Sequence, residues 1–290
     1  MHLADRSRSL ADRALVPALA LLAAAAPLAA QPAMQPAVQP AADLASPDAG
    51  RPPLLTRREV VLTGAFTAVS IGVMHFDPRI RHWLRREELQ EHGFIRNRAG
   101  EFRHVNEKSL FAAEVAAWGI GRLTGSEALA DIGLHAAEAV AITTLVTQVA
   151  RIGSGRTRPF VTDGEDQYDF HPFERPSDQA YRAFPSIHAA TAFATAAALT
   201  GETRRRRPGA VKIVAPVSFA IAAMPGLSRM YADKHWASDV ALGAVWGTTI
   251  GVATVRWQHT RPGNRLDRWM LAAGSAPLTG EPALVVGRRF

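Results

Sequence analysis

The sequence predicts an all-α domain, on three observations. From about residue 58 the chain runs as a series of apolar segments rich in alanine and leucine, residues that favour helix. Stretches that alternate apolar and polar side chains, as half-buried strands do, are scarce. Gly and Pro punctuate the gaps between segments at Gly153–Pro159, Arg207-Pro208-Gly209 and Pro225-Gly226.

The elements follow in chain order. Arg6, Arg8 and Arg13 precede an apolar run opening at Leu15–Leu22, and Ala26-Pro27-Leu28-Ala29-Ala30 supplies small residues before Gln31. That layout predicts a cleaved signal peptide over residues 1–30 and hence export. The Gln-Pro-Ala triplets at 31, 35 and 39 cannot build a core, so residues 31–55 read as a Pro/Ala-rich tether. A compact bundle of about six helices is expected over residues 56–260. The helices are placed near Glu59–Phe76, Ser109–Leu123, Ala128–Val149, His188–Thr200, Val211–Ala223 and Ser238–Trp257. Residues 261–290 form a C-terminal tail; its apolar end, Ala283–Phe290, resembles a barrel strand, but one strand cannot close a barrel.

Composition narrows the function. At 290 residues the chain can bury a sizeable core. It contains no cysteine, which removes disulfides, thiolate metal sites and cysteine nucleophiles. A formal charge of +7 suits anionic partners such as phosphorylated substrates or anionic lipid. The run Arg204–Arg207 has no flanking aromatics, so it reads as a solvated loop and no nucleic-acid partner is expected. The segments at 59–76 and 238–257 approach spanning length, whereas 188–200 is short and 128–149 carries Asp131, His135 and Glu138. With mean hydropathy near zero, a periplasmic bundle that contacts a membrane is favoured over an integral one.

Three polar stretches interrupt the apolar segments at predicted helix ends. They are Arg151-Ile-Gly-Ser-Gly-Arg-Thr-Arg158-Pro159, Phe184-Pro185-Ser186-Ile187-His188, and Ser228-Arg229 through His235 to Asp239. Together they suit an oxyanion pocket. Arg151, Arg158 and Arg229 are permanent multi-donor cations matched to a phosphate dianion, and Ser186 with the N–H groups of a helix start can complete the cradle. His235 and Asp239 are four residues apart, so a helical turn brings carboxylate to imidazole. A carboxylate on one ring nitrogen frees the other as a nucleophile, leaving His188 to protonate a leaving alcohol. Each stretch alone has a plainer explanation. Ser186 can simply cap a helix, and a His–Asp pair at this spacing is often a surface contact. The third string, however, would arise by chance in well under ~1% of chains this size. The remaining histidines show no paired ligand spacing, so no metal is expected.

The three stretches resemble the motifs of the type 2 phosphatidic acid phosphatase (PAP2) superfamily, which also includes bacterial acid phosphatases and vanadium haloperoxidases. Its motifs run Lys-x6-Arg-Pro, Pro-Ser-Gly-His and Ser-Arg-x5-His-x3-Asp, and the resemblance covers roughly residues 110–257. It implies a helical core of the PAP2/haloperoxidase type with a phosphate site at the ends of its central helices. By position, His235 would become phosphorylated, Asp239 would orient it, and His188 would protonate the leaving group and later activate water. Arg151, Arg158, Ser186, Ile187 and Arg229 match the phosphate-binding positions, and no metal or cofactor is implied for the phosphatases. Two positions depart from the pattern. Arg151 replaces the usual lysine, and Ile187 replaces the usual glycine, which narrows the allowed backbone angles and crowds the pocket.

The reading is a phosphatase acting on lipid or soluble phosphate monoesters through a phosphohistidine, in the periplasm or at a membrane with its site facing the periplasm. One alternative is a vanadate-dependent haloperoxidase, for which the Phe160–Phe184 stretch is short. The other is a non-catalytic phosphate- or lipid-binding scaffold, suggested by Ile187.

Overall fold

A computed structural model describes residues 52–261 except 176. The expected signal peptide, most of the tether and the tail beyond Arg261 lie outside the described residues. Within them the protein is helical, and β pairing is confined to an isolated antiparallel bridge between Arg156 and Phe170.

The helices are α1 (Arg57–Val73), α2 (Asp77–Leu84), α3 (Glu87–Glu91), α4 (Gly93–Phe102), α5 (Glu107–Thr124), α6 (Glu127–Ser154), α7 (Ile187–Arg206), α8 (Val211–Tyr231) and α9 (Ala237–Thr260). Each of the six expected helices corresponds to a long one here. Side-chain caps start four of them. Thr56 and Glu59 form a capping box on α1, Asn106 accepts from the N–H groups of Lys108 and Ser109 on α5, and Ser126 and Ser186 cap α6 and α7.

Two local expectations are corrected. Pro225-Gly226 does not end α8, which runs through to Tyr231 with Pro216 and Pro225 inside it. Packing of this segment onto α7 overrides the breaker signal. Arg204, Arg205 and Arg206 are the last turn of α7 rather than a loop, where their charge complements the carbonyl end of the helix. The short helices α2–α4 occupy a stretch too polar for hydropathy to reveal.

Helix α7 lies at the centre of the bundle. Its alanines are almost completely buried, and Phe193 meets Phe219 of α8 with ring centroids 5.6 Å apart. Small side chains let the partners approach closely. On α9, Gly243, Gly247 and Gly251 face the α7 backbone, and a Cβ at Gly247 would sit 1.9 Å from the Ala190 carbonyl oxygen.

The long helices alternate in direction, so the bundle has two distinct ends. At one, Glu59 of α1 pairs with Arg256 of α9 at 2.6 Å, and Asp131 of α6 pairs with Arg206 of α7. At the other, the C-terminus of α6 and the N-termini of α7 and α9 meet: the Ser186 N–H donates to the Asp239 carbonyl at 2.9 Å.

Among the described residues, four helical stretches are long and apolar enough to cross a membrane: Arg57–Leu84, Glu127–Ser154, Pro208–Tyr231 and Ala237–Thr260. The last is mostly enclosed, whereas the first and third leave most of their surface outward. Val61, Val69, Leu145, Val149, Ile213 and Ile221 all point outward. Such an apolar exterior suits lipid contact.

Candidate active site

The second end of the bundle collects every residue expected in the site. α6 ends at Gly155, whose left-handed backbone (φ 58°) turns the chain beneath the His171 carbonyl, where a Cβ would clash at 1.8 Å. The turn delivers Arg156 and Arg158 back over the helix ends. Arg151, one turn before the cap, is buried and held by its neighbours: its Nε donates to the Arg182 carbonyl at 2.8 Å and its NH1 to Gln148 Oε1 at 3.1 Å.

Ser186 is the N-cap of α7, accepting from the Ala189 N–H at 3.5 Å. Ile187 is its first residue, fully packed away, and it is absent from the positive-φ residues. The backbone here therefore does not demand glycine. His188 follows on the same turn, and its ring centroid lies 6.2 Å from that of His235.

The third stretch departs from the simple expectation. His235 precedes α9, and Trp236 is the helix N-cap. Asp239, in the first turn, folds its carboxylate back over the N-terminus. There Oδ2 accepts from the Trp236 N–H at 2.8 Å and lies 3.3 Å from His235 Nδ1. The pair is thus made by capping geometry instead of one helical face.

Sequence reasoning missed the residue that anchors this carboxylate. Arg156 is wholly buried, and its NH1 donates to Asp239 Oδ1 at 2.6 Å and to Ser238 Oγ at 2.7 Å. Its NH2 donates to Asp77 Oδ2 at 2.8 Å, while Phe170, Phe184 and Trp236 surround the guanidinium with centroids 5.4–5.6 Å away. Arg156 lay inside the first polar stretch, so a count of its arginines was the available signal. Asp77, some eighty residues earlier on α2, offered none. Arg182 is a further cation missed; it adjoins Arg151, and its NH2 donates to Gln148 Oε1 at 2.6 Å.

Several polar atoms at this end are buried without a hydrogen-bond partner: Arg158 Nε, Arg182 Nε, His188 Nδ1, Arg229 Nε and His235 Nε2. Buried polar groups are normally satisfied, so this concentration marks a place built for a ligand with several acceptors. The electrostatics agree. Burial, then Arg158, Arg151 and Arg229, hold the His235 ring well below its usual pKa. Burial, then Arg229, His235, Arg151 and Arg158, lower His188 to about 2. Arg158 itself is lowered to about 10 by burial and by Arg229. Both imidazoles are therefore neutral beside a cluster of guanidinium groups, and a bound oxyanion would relieve that repulsion.

The family model of the PAP2 superfamily matches residues 132–262. That stretch belongs to the PAP2 superfamily. The PAP2 segment begins within α6, closes just past α9, and so contains all three motif stretches and the helix ends that carry them. Among curated proteins, a lipid A 1-phosphatase from Porphyromonas gingivalis is 38% identical over 77 residues, or 27% of this chain. The aligned stretch spans only 16% of that relative's length. No solved structure matches the chain significantly. Phosphatases of the PAP2 superfamily work without a cofactor, and the donors at this site are arginines, a serine hydroxyl and imidazoles, which suit an anion. Asp77 lies outside the PAP2 match, so the α1–α2 segment completes a hydrogen-bond network that the family segment begins.

Proposed function

We propose that the protein is a phosphatase that hydrolyses phosphate monoesters of lipids through a phosphohistidine at His235. The observation that carries this reading is the state of the His235 ring. Its Nδ1 faces Asp239, and its Nε2 is buried, unpartnered and set among Arg151, Arg158 and Arg229. With the Nδ1 proton directed at Asp239, Nε2 carries the lone pair, an assignment made from the hydrogen-bond network.

In the first step the substrate phosphoryl group lies against Arg151, Arg158 and Arg229, with Ser186 and the α7 N-terminus on its other oxygens. The bound dianion offsets the arginines and raises the His188 pKa, so that ring takes up a proton from solvent. Nε2 then attacks phosphorus, the ester P–O bond breaks, and His188 gives that proton to the departing alcohol. In the second step the neutral His188 takes a proton from water, the hydroxide displaces His235, and inorganic phosphate leaves. The guanidinium groups stabilise the charge on the equatorial oxygens throughout. No metal enters either step.

A lipid substrate is supported by the surroundings. Phe160, Val161, Tyr168 and Phe173, on the segment beside the pocket, are exposed, and the outward faces of α1, α6 and α8 are apolar. The P. gingivalis relative makes the 1-phosphate of lipid A the first substrate to test. The scaffold alternative loses its motive, because Ile187 occupies an ordinary helical start.

For location we propose an integral membrane protein with its site on the periplasmic side. Basic residues lie at both ends: Arg204–Arg207 and Lys212 away from the site, and Arg79, Arg81, Arg85, Arg86, Arg96 and Arg98 on the α2–α4 segment at the site end. The periplasmic placement therefore rests on the exported site expected from the sequence and not on charge. Thr56 and Arg261 lie at the end away from the site: the Arg256 NH1 donates to the Leu54 carbonyl, and Arg261 to that of Pro52. For a spanning bundle, a cleaved signal peptide and a periplasmic site therefore exclude one another.

The deciding experiment is turnover and trapping. The purified full chain should release phosphate from lipid A or phosphatidate in detergent and form an acid-labile phosphoenzyme. His235→Ala should abolish labelling and lower turnover by several orders of magnitude. Near-normal turnover by a folded His235→Ala protein would end the assignment.

A further inference from the structure

We propose that His135, Glu202 and His259 form a binding site for a divalent transition-metal ion of the zinc type, at the end of the bundle opposite the phosphate pocket. Three helices supply one residue each: α6, α7 and α9. His135 Nδ1 lies 2.8 Å from Glu202 Oε1, and His259 Nε2 lies 2.7 Å from the same oxygen. All three donor atoms fall within 4.8 Å of one another. The residues are far apart in the chain and share no ligand spacing, so only the antiparallel packing of the three helices brings them together.

The chemistry of the donors selects the ion. Two imidazole nitrogens and one carboxylate oxygen suit borderline ions such as Zn²⁺, while Mg²⁺ and Ca²⁺ demand oxygen ligands. At metal–ligand distances of about 2.0–2.2 Å, tetrahedral ligands stand roughly 3.3 Å apart. The imidazoles need draw back from Glu202 only by roughly half an ångström to admit an ion, whose fourth ligand would be water. The carboxylate also has capacity to spare: Glu202 Oε2 is buried without a hydrogen-bond partner, with Arg206 Nε 3.9 Å away.

The surroundings fit. Asp131 and Glu138 flank His135 on α6, the first paired with Arg206 and the second with Gln258, so further negative charge and polar contacts frame the cluster. Glu202 and His135 are enclosed, but the His259 side chain is 19% exposed, which leaves an approach from the bundle end. The His135–Arg151 separation along α6, at 1.5 Å per residue, places the ion about 24 Å from the phosphate pocket. Its role is accordingly that of a staple. It ties together the far ends of the same three helices whose near ends carry Arg151, His188 and Asp239.

The test reads metal binding directly and uses no activity, so its outcome is independent of the phosphatase reading. The untagged full chain is purified in detergent without chelator, and its metal content is measured. It is then stripped by dialysis against a chelator and titrated with Zn²⁺, and with Co²⁺ followed by visible absorption. The expected result is about one ion per chain, the d–d bands of a four-coordinate Co²⁺ site, and an affinity that rises with pH as the two imidazole protons are displaced. Glu202→Gln and His259→Ala should lose at least tenfold in affinity, whereas His82→Ala, at an exposed histidine, should not. Zn²⁺ should raise the Tm of the stripped parent protein and leave that of His259→Ala unmoved. If the stripped parent binds neither ion at micromolar concentration, or if Glu202→Gln and His259→Ala bind as tightly as the parent, the cluster is a hydrogen-bonded triad and the proposal is wrong.

Discussion

Arg156 and Asp239 meet at 2.6 Å with both side chains completely buried, and the other oxygen of the same carboxylate faces His235 Nδ1 at 3.3 Å. The guanidinium also holds Asp77 at 2.8 Å, so one cation compensates two buried carboxylates. We propose that through Asp239 it helps set the direction of the His235 ring. Arg156 is a positioning residue.

Removing it leaves two buried negative charges uncompensated. Arg156→Ala should destabilise the protein by about 3–5 kcal/mol, visible as a lower Tm in detergent. Arg156→Lys keeps the charge but cannot reach Asp77, Asp239 and Ser238 together. It should lower kcat tenfold or more with KM little changed, because orientation of the nucleophile and not substrate binding is lost. A loss confined to KM would place Arg156 on the substrate instead.

The role of His188 is open to leaving-group chemistry. Alkoxides cannot depart unprotonated, whereas p-nitrophenolate can. His188→Ala should therefore lose about 10²–10⁴-fold on alkyl phosphates and much less of the first step on p-nitrophenyl phosphate. Phosphorylated His235 should accumulate on the second substrate, because activation of water fails. Rapid-quench labelling at neutral pH reads this. Equal losses on both substrates would make His188 a phosphate ligand only.

The lowered pKa of His188 and His235 carries a sign for both stability and rate. Both groups are neutral in the ligand-free protein, and the unfolded chain takes up protons at the ordinary histidine pKa of about 6.5. Their contribution to stability is therefore complete above that pH and is lost as the pH falls below it. The Tm of the ligand-free protein should decline below about pH 6.5. Vanadate, occupying the oxyanion site, should raise the Tm and inhibit turnover. Because the protonated acid grows scarcer as pH rises, kcat/KM on alkyl phosphates should fall with increasing pH, and the fall should flatten in His188→Ala. A Tm that is level through this range would contradict the neutral pocket.

Orientation in the membrane is accessible because the chain has no cysteine of its own. Single cysteines at Glu165, exposed at the pocket end, and Arg205, exposed at the other, report the two ends separately. In spheroplasts of a bacterial host, an impermeant maleimide should label Glu165→Cys and not Arg205→Cys. The reverse pattern would put the site in the cytoplasm and agree with a cleaved signal peptide. Labelling of both would return the protein to a periplasmic bundle that does not span.

The helical class, the six long helices and the residues that gather at the pocket end were legible in the sequence alone. Alanine-rich apolar segments can hardly form anything else, and the motif residues sit close together within each stretch, where local order suffices. Helix ends were less legible. Pro225 and the Arg204–Arg206 run carry loop signals, yet α8 and α7 continue through them because packing against neighbouring helices outweighs a local breaker. Membrane character was obscured for a related reason. Mean hydropathy averages the whole chain, while the outward faces of α1, α6 and α8 become apolar only when the fold decides which side of each helix is hidden. What tertiary structure alone decided is contact between residues distant in sequence. Asp77 reaches Ser238 and Arg156 across the bundle, and His135, Glu202 and His259 converge at its other end. The spacing of a motif records neighbours along the chain, but these groups are neighbours only because antiparallel helices lie side by side.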